Sequence, residues 1–282
     1  MPSRRTLLPL IVAALMPIHT AAEELILPVF ALNAQGPDGS RWSTEVYLVN
    51  PTAQPVPVSI AGLLPGKVLR STPCGQFMSQ TRVVPPQSAV LWTASGLTTD
   101  LGCADEVLGA LKLHADGDVR VTGRLVRHSE DGGVTPIGVL SGGGQSVAAR
   151  RTSKLPGPTT LLLPALLWHR NPCGKAAFST SVGFANPGLE PVTVTLYLPN
   201  EGSRAIRING RVLPLPHQLV IEPQTWTQLR VAPLDRPDEV CREPESFDLE
   251  VVIDGPLAVY GSVMDQSSMD GRMVEPADLH LN

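Results

Sequence analysis

Five histidines lie beyond the first 22 residues, His114, His128, His169, His217 and His280, and each could act as a base or a metal ligand. Catalysis would need a nucleophile and an orienting acid to converge on one of them. The chain contains neither a Gly-x-Ser-x-Gly elbow nor a His-Glu-x-x-His pattern. Asp116 and Asp254 each precede a glycine, where a turn accounts for them, and no second carboxylate is marked out to face either across a cleft. Ser141-Gly142-Gly143-Gly144-Gln145 lacks the Lys-Ser/Thr of a phosphate loop. Cys74, Cys103, Cys173 and Cys241 include no Cys-x-x-Cys knuckle of the kind zinc sites draw on. These readings assign no catalytic residue, no metal ligand and no cofactor, and they do not point to an enzyme. One run offers a different chemistry. Trp168-His169-Arg170-Asn171 leads into the loop at Cys173 and joins a ring to hydrogen-bonding side chains, a combination suited to a sugar ring or a protein partner. Trp168, His169 and Arg170 form the candidate contact loop.

Export is expected from the N-terminus. Arg4 and Arg5 make a positive region, Leu7 to Met16 an apolar core and Thr20-Ala21-Ala22 a small-residue cleavage site, so residues 1–22 read as a signal peptide cleaved near Ala22. The two arginines also resemble the twin-arginine variant of such signals. The apolar run falls short of the roughly 20 residues a membrane span needs, and no later run approaches it, so no transmembrane segment is expected after cleavage. A periplasmic or extracellular location makes the four cysteines a disulfide set. Four cysteines allow three pairings. Independently folding modules favour Cys74 with Cys103 and Cys173 with Cys241. The formal net charge of −4, without a basic stripe or an acidic tail, argues against nucleic acid as a partner.

The 25 glycines and 28 prolines in 282 residues leave no room for long helices. Residues 25–60 lie over 161–196 at an offset of 136 with 11 identities, among them Leu27-Pro28, Ser43-Thr44, Asn50-Pro51 and Val56 with their partners Leu163-Pro164, Ser179-Thr180, Asn186-Pro187 and Val192. Pro86-Gln87 matches Pro223-Gln224, and Cys103, Asp116-Gly117 and Gly123 match Cys241, Asp254-Gly255 and Gly261. This is an internal duplication. Residues 23–139 form a first module, 140–160 a Gly/Pro-rich linker and 161–282 a second module. Strict alternation over Val192–Leu198 marks a half-buried strand. Asn-Pro and Asp-Gly between such runs read as hairpin turns, and Leu101–Leu111 is the one stretch that could hold a helical turn. On this reading Asn186→Ala would act through the turn alone, at about 1 kcal/mol. Trp42 matches Phe178 as a core position, and Trp92 and Trp226, both following Pro-Gln, are expected to be partly buried.

About seven strands per module at this spacing indicate an all-β chain of two tandem antiparallel sandwiches. Leu27-Pro28, Trp42-Ser43-Thr44-Glu45-Val46, Asn50-Pro51 and Asp116-Gly117, with their second-copy partners, resemble the modules of a group of uncharacterised bacterial secreted proteins. That resemblance implies immunoglobulin-like β-sandwiches and export, and no activity. The expected role is a non-catalytic structural or protein-interaction module whose partner is a protein or a cell-surface component. A carbohydrate- or ligand-binding module, signalled by Trp168 or by tyrosines on one face, and a periplasmic pilus-type chaperone are the alternatives.

Overall fold

The computed structural model describes residues 22–35, 41–65, 81–102, 106–128, 144–148, 150–168, 178–199, 205–234, 245–265 and 271–279. The first half contains β1 (Glu23–Leu32), β2 (Ala34–Gln35), β3 (Arg41–Asn50), β4 (Val56–Pro65), β5 (Thr81–Val84), β6 (Ser88–Trp92), helix α1 (Ala94–Leu101), β7 (Val107–Ala115), β8 (Arg120–His128), β9 (Gly144–Ala148) and β10 (Arg150–Arg151). After a 3-10 turn at Thr152–Lys154, the second half contains β11 (Thr159–Trp168), β12 (Phe178–Asn186), β13 (Val192–Tyr197), β14 (Ala205–Ile208), β15 (Arg211–Pro214), β16 (His217–Ile221), β17 (Thr225–Ala232), β18 (Glu245–Ile253), β19 (Ala258–Asp265), β20 (Gly271–Val274) and β21 (Ala277–Asp278). The chain is all-β with one short helix among the described residues.

Four sheets result. Sheet I runs β6-β3-β8-β9, with β2 beside the start of β3, and sheet II runs β10-β1-β7-β4-β5. Sheet III runs β15-β14-β17-β12-β19-β20 and sheet IV runs β16-β13-β18-β11-β21. Strands equivalent by the sequence offset occupy equivalent places, so the two halves share one strand order. The seven principal strands of the first half are β1, β3, β4, β5, β6, β7 and β8. Sheet II takes the first, sixth, third and fourth, and sheet I the fifth, second and seventh. An immunoglobulin constant-type module sets strands one, two, five and four against three, six and seven. Here strands one, four and seven lie in the opposite sheets.

The shared residues explain the shared order. Pro28 and Pro164 have no N–H to give the ladder, and the register slips at both, between Leu27 and Phe30 and between Leu163 and Leu166. Just past each bulge a threonine joins the two sheets: Ala31 N–H donates to Thr44 Oγ1 at 2.7 Å, and Thr180 Oγ1 donates to the Leu167 carbonyl at 2.6 Å. Asn50 and Asn186 are buried. Asn50 Nδ2 donates to the carbonyls of Gln54, Val84 and Pro85, while its Oδ1 accepts from Thr52 N–H. Asn186 repeats this with Glu190, Ile221 and Gly188. Gln87 and Gln224 follow in the left-handed region, φ 49° and 53°, and donate their N–H to the carbonyls of Thr52 and Gly188 in those same loops. Each asparagine thus ties its own loop to the end of a strand some 35 residues on.

Several turns differ from expectation. Asn50-Pro51 joins β3 to β4 and Asp116-Gly117 joins β7 to β8, in each case across from one sheet to the other, and the second copy does likewise. They are arches between sheets, not hairpins. Alternation reports that two strands flank a turn, and both connections satisfy it equally. The Asp254 arch is fastened by Thr193 N–H donating to Asp254 Oδ1 at 2.7 Å. A true two-residue hairpin occurs at Asn209-Gly210, both with positive φ, between β14 and β15. The helix precedes the stretch expected to hold one: Thr93 caps it by accepting from Gly96 N–H, and Gly102 ends it in the left-handed conformation. Within the expected linker, Gly144–Ala148 pairs with β8 and Arg150–Arg151 with β1, while Leu155 is buried in the first core. Glycine and proline suggested a loop there, and the free edges of β8 and β1 recruit the segment instead. No described helix is long and apolar enough to cross a membrane.

The asparagine bonds raise the expected effect of Asn186→Ala above that of a turn residue. Removing a buried amide that holds three backbone groups should lower stability by about 2–3 kcal/mol, read as a lower denaturant midpoint at unchanged slope. A loss no greater than that of an exposed loop residue would show those backbone groups finding other partners.

Candidate functional site

The two halves meet face to face, in the layer order I, II, III, IV. Strand β1 is buried over eight consecutive residues, Leu25 to Leu32, whereas its counterpart β11 alternates. A strand covered on both faces reads this way, and β1 touches β3 and β8 of sheet I on one side and β12 and β19 of sheet III on the other. The parallel pairing of Thr225-Trp226 with Leu64-Pro65 joins sheets II and III edge to edge. Four second-half residues, Ala185, Trp226, Ala258 and Tyr260, belong to the first hydrophobic core.

Trp226 fastens this seam. Its indole N–H donates to the Pro28 carbonyl at 2.9 Å, across 198 residues of chain and at the bulge in β1. Beside it Tyr260 lies over Gly183, its cross-strand partner on β12. A Cβ at Gly183 would stand 2.0 Å from the tyrosine ring, so only glycine admits the ring there. Tyr260 is buried and, among the described residues, its hydroxyl has no partner in good hydrogen-bonding geometry, the Trp226 indole lying beside it. Burial pushes its phenol pKa far above the ordinary 10.0, and the neighbouring Trp226 indole offsets this only in part. An inter-half ion pair, Arg150 to Glu275 at 3.2 Å, lies outside this apolar centre.

A cleft of about 200 Å³ opens along the seam where sheets I, II and III meet. Trp42 contributes from sheet I, Val29 and Leu108 from sheet II, and Tyr260, Met264 and Met273 from sheet III. Trp42 is therefore half-buried at a cleft wall, while Phe178 packs against the second core.

The candidate contact loop is only partly described. Trp168 ends β11 opposite Glu245, half-buried and packed on the second core, while His169 and Arg170 lie outside the described residues. So do Cys74, Cys103, Cys173 and Cys241, and the signal residues 1–21. Trp92 and Trp226, expected to be partly buried, are fully so. Trp92 donates to Asp100 Oδ2 at 2.7 Å, and Arg82 both binds that carboxylate and stacks 4.8 Å from the indole centroid. His114 is exposed with Asp116 at 3.3 Å and lies at the edge of an arch. No group of three His, Cys, Asp or Glu residues placed to hold a metal occurs among the described residues.

Sequence reasoning missed the seam. The signal was present in the duplication: Trp226 and Tyr260 stand where the first copy has Ala89 and Thr122. Large aromatics replacing small residues on one outward face of a repeat mark a face that the other copy lacks. Comparison with protein-family models, with curated proteins and with solved structures finds no match.

Tyr260 generates a pH prediction. In the folded chain its phenol stays protonated well above pH 10, whereas the unfolded chain ionises near pH 10. The stability this residue contributes is present below that pH and is lost as pH rises beyond it. Spectrophotometric titration of the native protein should show Tyr260 remaining protonated well above pH 10, and Tyr260→Phe should remove the corresponding alkaline loss of stability. At neutral pH the same change removes an unpartnered buried hydroxyl and should stabilise by about 1 kcal/mol. Tyr260 ionising near pH 10 in the folded state would contradict this.

Proposed function

We propose that the chain is an exported, non-catalytic protein of two fused β-sandwiches that works by contact, as a structural or protein-interaction module outside the cytoplasm. One observation carries the reading: the polar residues the two halves share are engaged in holding the fold. Asn50 and Asn186 tie loops to strands, Thr44 and Thr180 bridge sheets, and Asp254 fastens an arch. What the duplication kept is framework. The modules are immunoglobulin-like in being two-sheet sandwiches, with the exchange of strands described above.

The carbohydrate alternative draws no support from a tyrosine platform. Tyr47, Tyr197 and Tyr260 lie on β3, β13 and β19, in three different sheets. Contact residues are instead proposed for the ends of the sandwiches, where Trp168 closes β11 and His169 and Arg170 follow it in sequence. In such a protein no single side chain is indispensable, because contact energy spreads over a patch with a few anchors.

Alanine at Trp168, His169 or Arg170 is accordingly expected to leave the chain folded and at most to weaken a partner, measured by cross-linking in intact cells with melting temperature as the folding control. An activity screen on the mature chain supplies the opposing result: a turnover abolished by one His, Asp or Ser substitution at unchanged melting temperature would make the protein an enzyme.

Export also carries the proposal of one disulfide per half, Cys74 with Cys103 and Cys173 with Cys241. By loop entropy each would contribute about 3–5 kcal/mol. Non-reducing peptide mapping of protein taken from the periplasm should recover these two linkages, and Cys74 joined to Cys173, or free thiols, would refute them.

A further inference from the structure

The cleft at the junction of sheets I, II and III exists only because the halves dock, and its walls come from both. Among the described residues, none of its lining side chains is charged. The second-half residues that reach it, Gln228, Tyr260, Ser262 and Met264, stand where the first copy has Leu91, Thr122, Arg124 and Val126. An arginine position has thus become serine, and no described residue of the cleft wall is a cation. Soft and aromatic surface dominates: Met264 and Met273 adapt to irregular shapes, and the rings of Trp42 and Tyr260 supply flat faces. Gln35 and Gln228 place neutral amide groups, able to donate and accept, at the same wall.

Size narrows the occupant. An engineered apolar cavity of roughly 150 Å³ takes up benzene, so about 200 Å³ accommodates a substituted single ring. A charged ligand would surrender its hydration without a counter-charge, whereas a neutral one loses little. Dispersion against two thioethers and two rings favours an aromatic ligand over a chain of hydroxyls.

We propose that this inter-half cleft binds a small neutral aromatic molecule carrying one polar group, held between Trp42, Tyr260, Met264 and Met273 with its polar group toward Gln228. This goes beyond the contact reading, which needs no small ligand, and either can fail without the other. Binding links the halves, so an occupied cleft stabilises the docked arrangement in proportion to ligand concentration.

Acetophenone is a suitable probe, with ethylbenzene as its analogue lacking an acceptor and benzoate as its charged analogue. The full mature chain would carry ¹³C-methyl methionine, with the Met264 and Met273 signals assigned from Met264→Leu and Met273→Leu. Acetophenone should shift those two methyl signals, with submillimolar to millimolar affinity as befits a ligand of its size. Benzoate should bind at least tenfold more weakly. Gln228→Leu should weaken acetophenone about fivefold while leaving ethylbenzene unchanged. Met264→Trp, which fills the cleft, should abolish binding of both neutral probes, with circular dichroism and melting temperature confirming a folded chain. Should that variant not fold, the methyl map of the unaltered protein decides alone. No shift at either methyl up to the solubility of acetophenone, shifts confined to other methionines, benzoate bound as well as acetophenone, or undiminished binding in folded Met264→Trp would each overturn the proposal.

Discussion

The bond from the Trp226 indole to the Pro28 carbonyl fixes how the rest of the molecule is arranged. Proline at position 28 cannot feed the ladder, so β1 bulges there and its carbonyl is turned to a donor from another part of the chain. Sheet III supplies that donor on the same face that brings Ala185, Ala258 and Tyr260 against β1. A strand that would otherwise cover one sandwich is therefore the middle of three layers. Leaving it uncovered would expose Ile26, Val29 and Ala31 to water, at a cost of about 25 cal/mol per Å².

Much of the fold was legible in the residues. The constant offset placed every principal strand of one half on its counterpart in the other, because duplicated strands keep duplicated hydrogen-bonding partners. What alternation could not supply was sheet membership. Val192 to Tyr197 alternates whether the strand before it lies alongside or arches in from the opposite sheet, so Asn-Pro and Asp-Gly were legible as turns and illegible as arches. The segment 144–155 failed for another reason: its composition is that of a connector, and its strand character comes from the edges it meets, not from its own side chains. The all-β expectation of packed antiparallel sheets holds, while the strand order differs from that of an immunoglobulin constant-type module in strands one, four and seven.

The candidate site was the least legible part, for a physical reason. The contact loop at Trp168 to Arg170 advertises itself by residue type. The cleft instead is assembled from three sheets, by residues that look unremarkable one at a time. Met264 and Ser262 gain meaning only beside Val126 and Arg124 in the other copy. Divergence between copies located the seam, whereas identity between copies located the framework.

The docked face of sheet III recognises a surface of β1 that every molecule displays in the same form. Nothing in that recognition requires both surfaces to belong to one chain, and covalent connection through residues 155–158 is what keeps the pairing internal. A short tether holds its ends at an effective concentration on the order of millimolar, far above that of a dilute protein. At concentrations approaching that value, exchange of second halves between neighbours would give a symmetric dimer with the same seams made twice. The tether's length, rather than the strength of the seam, then sets whether this protein is one chain or two.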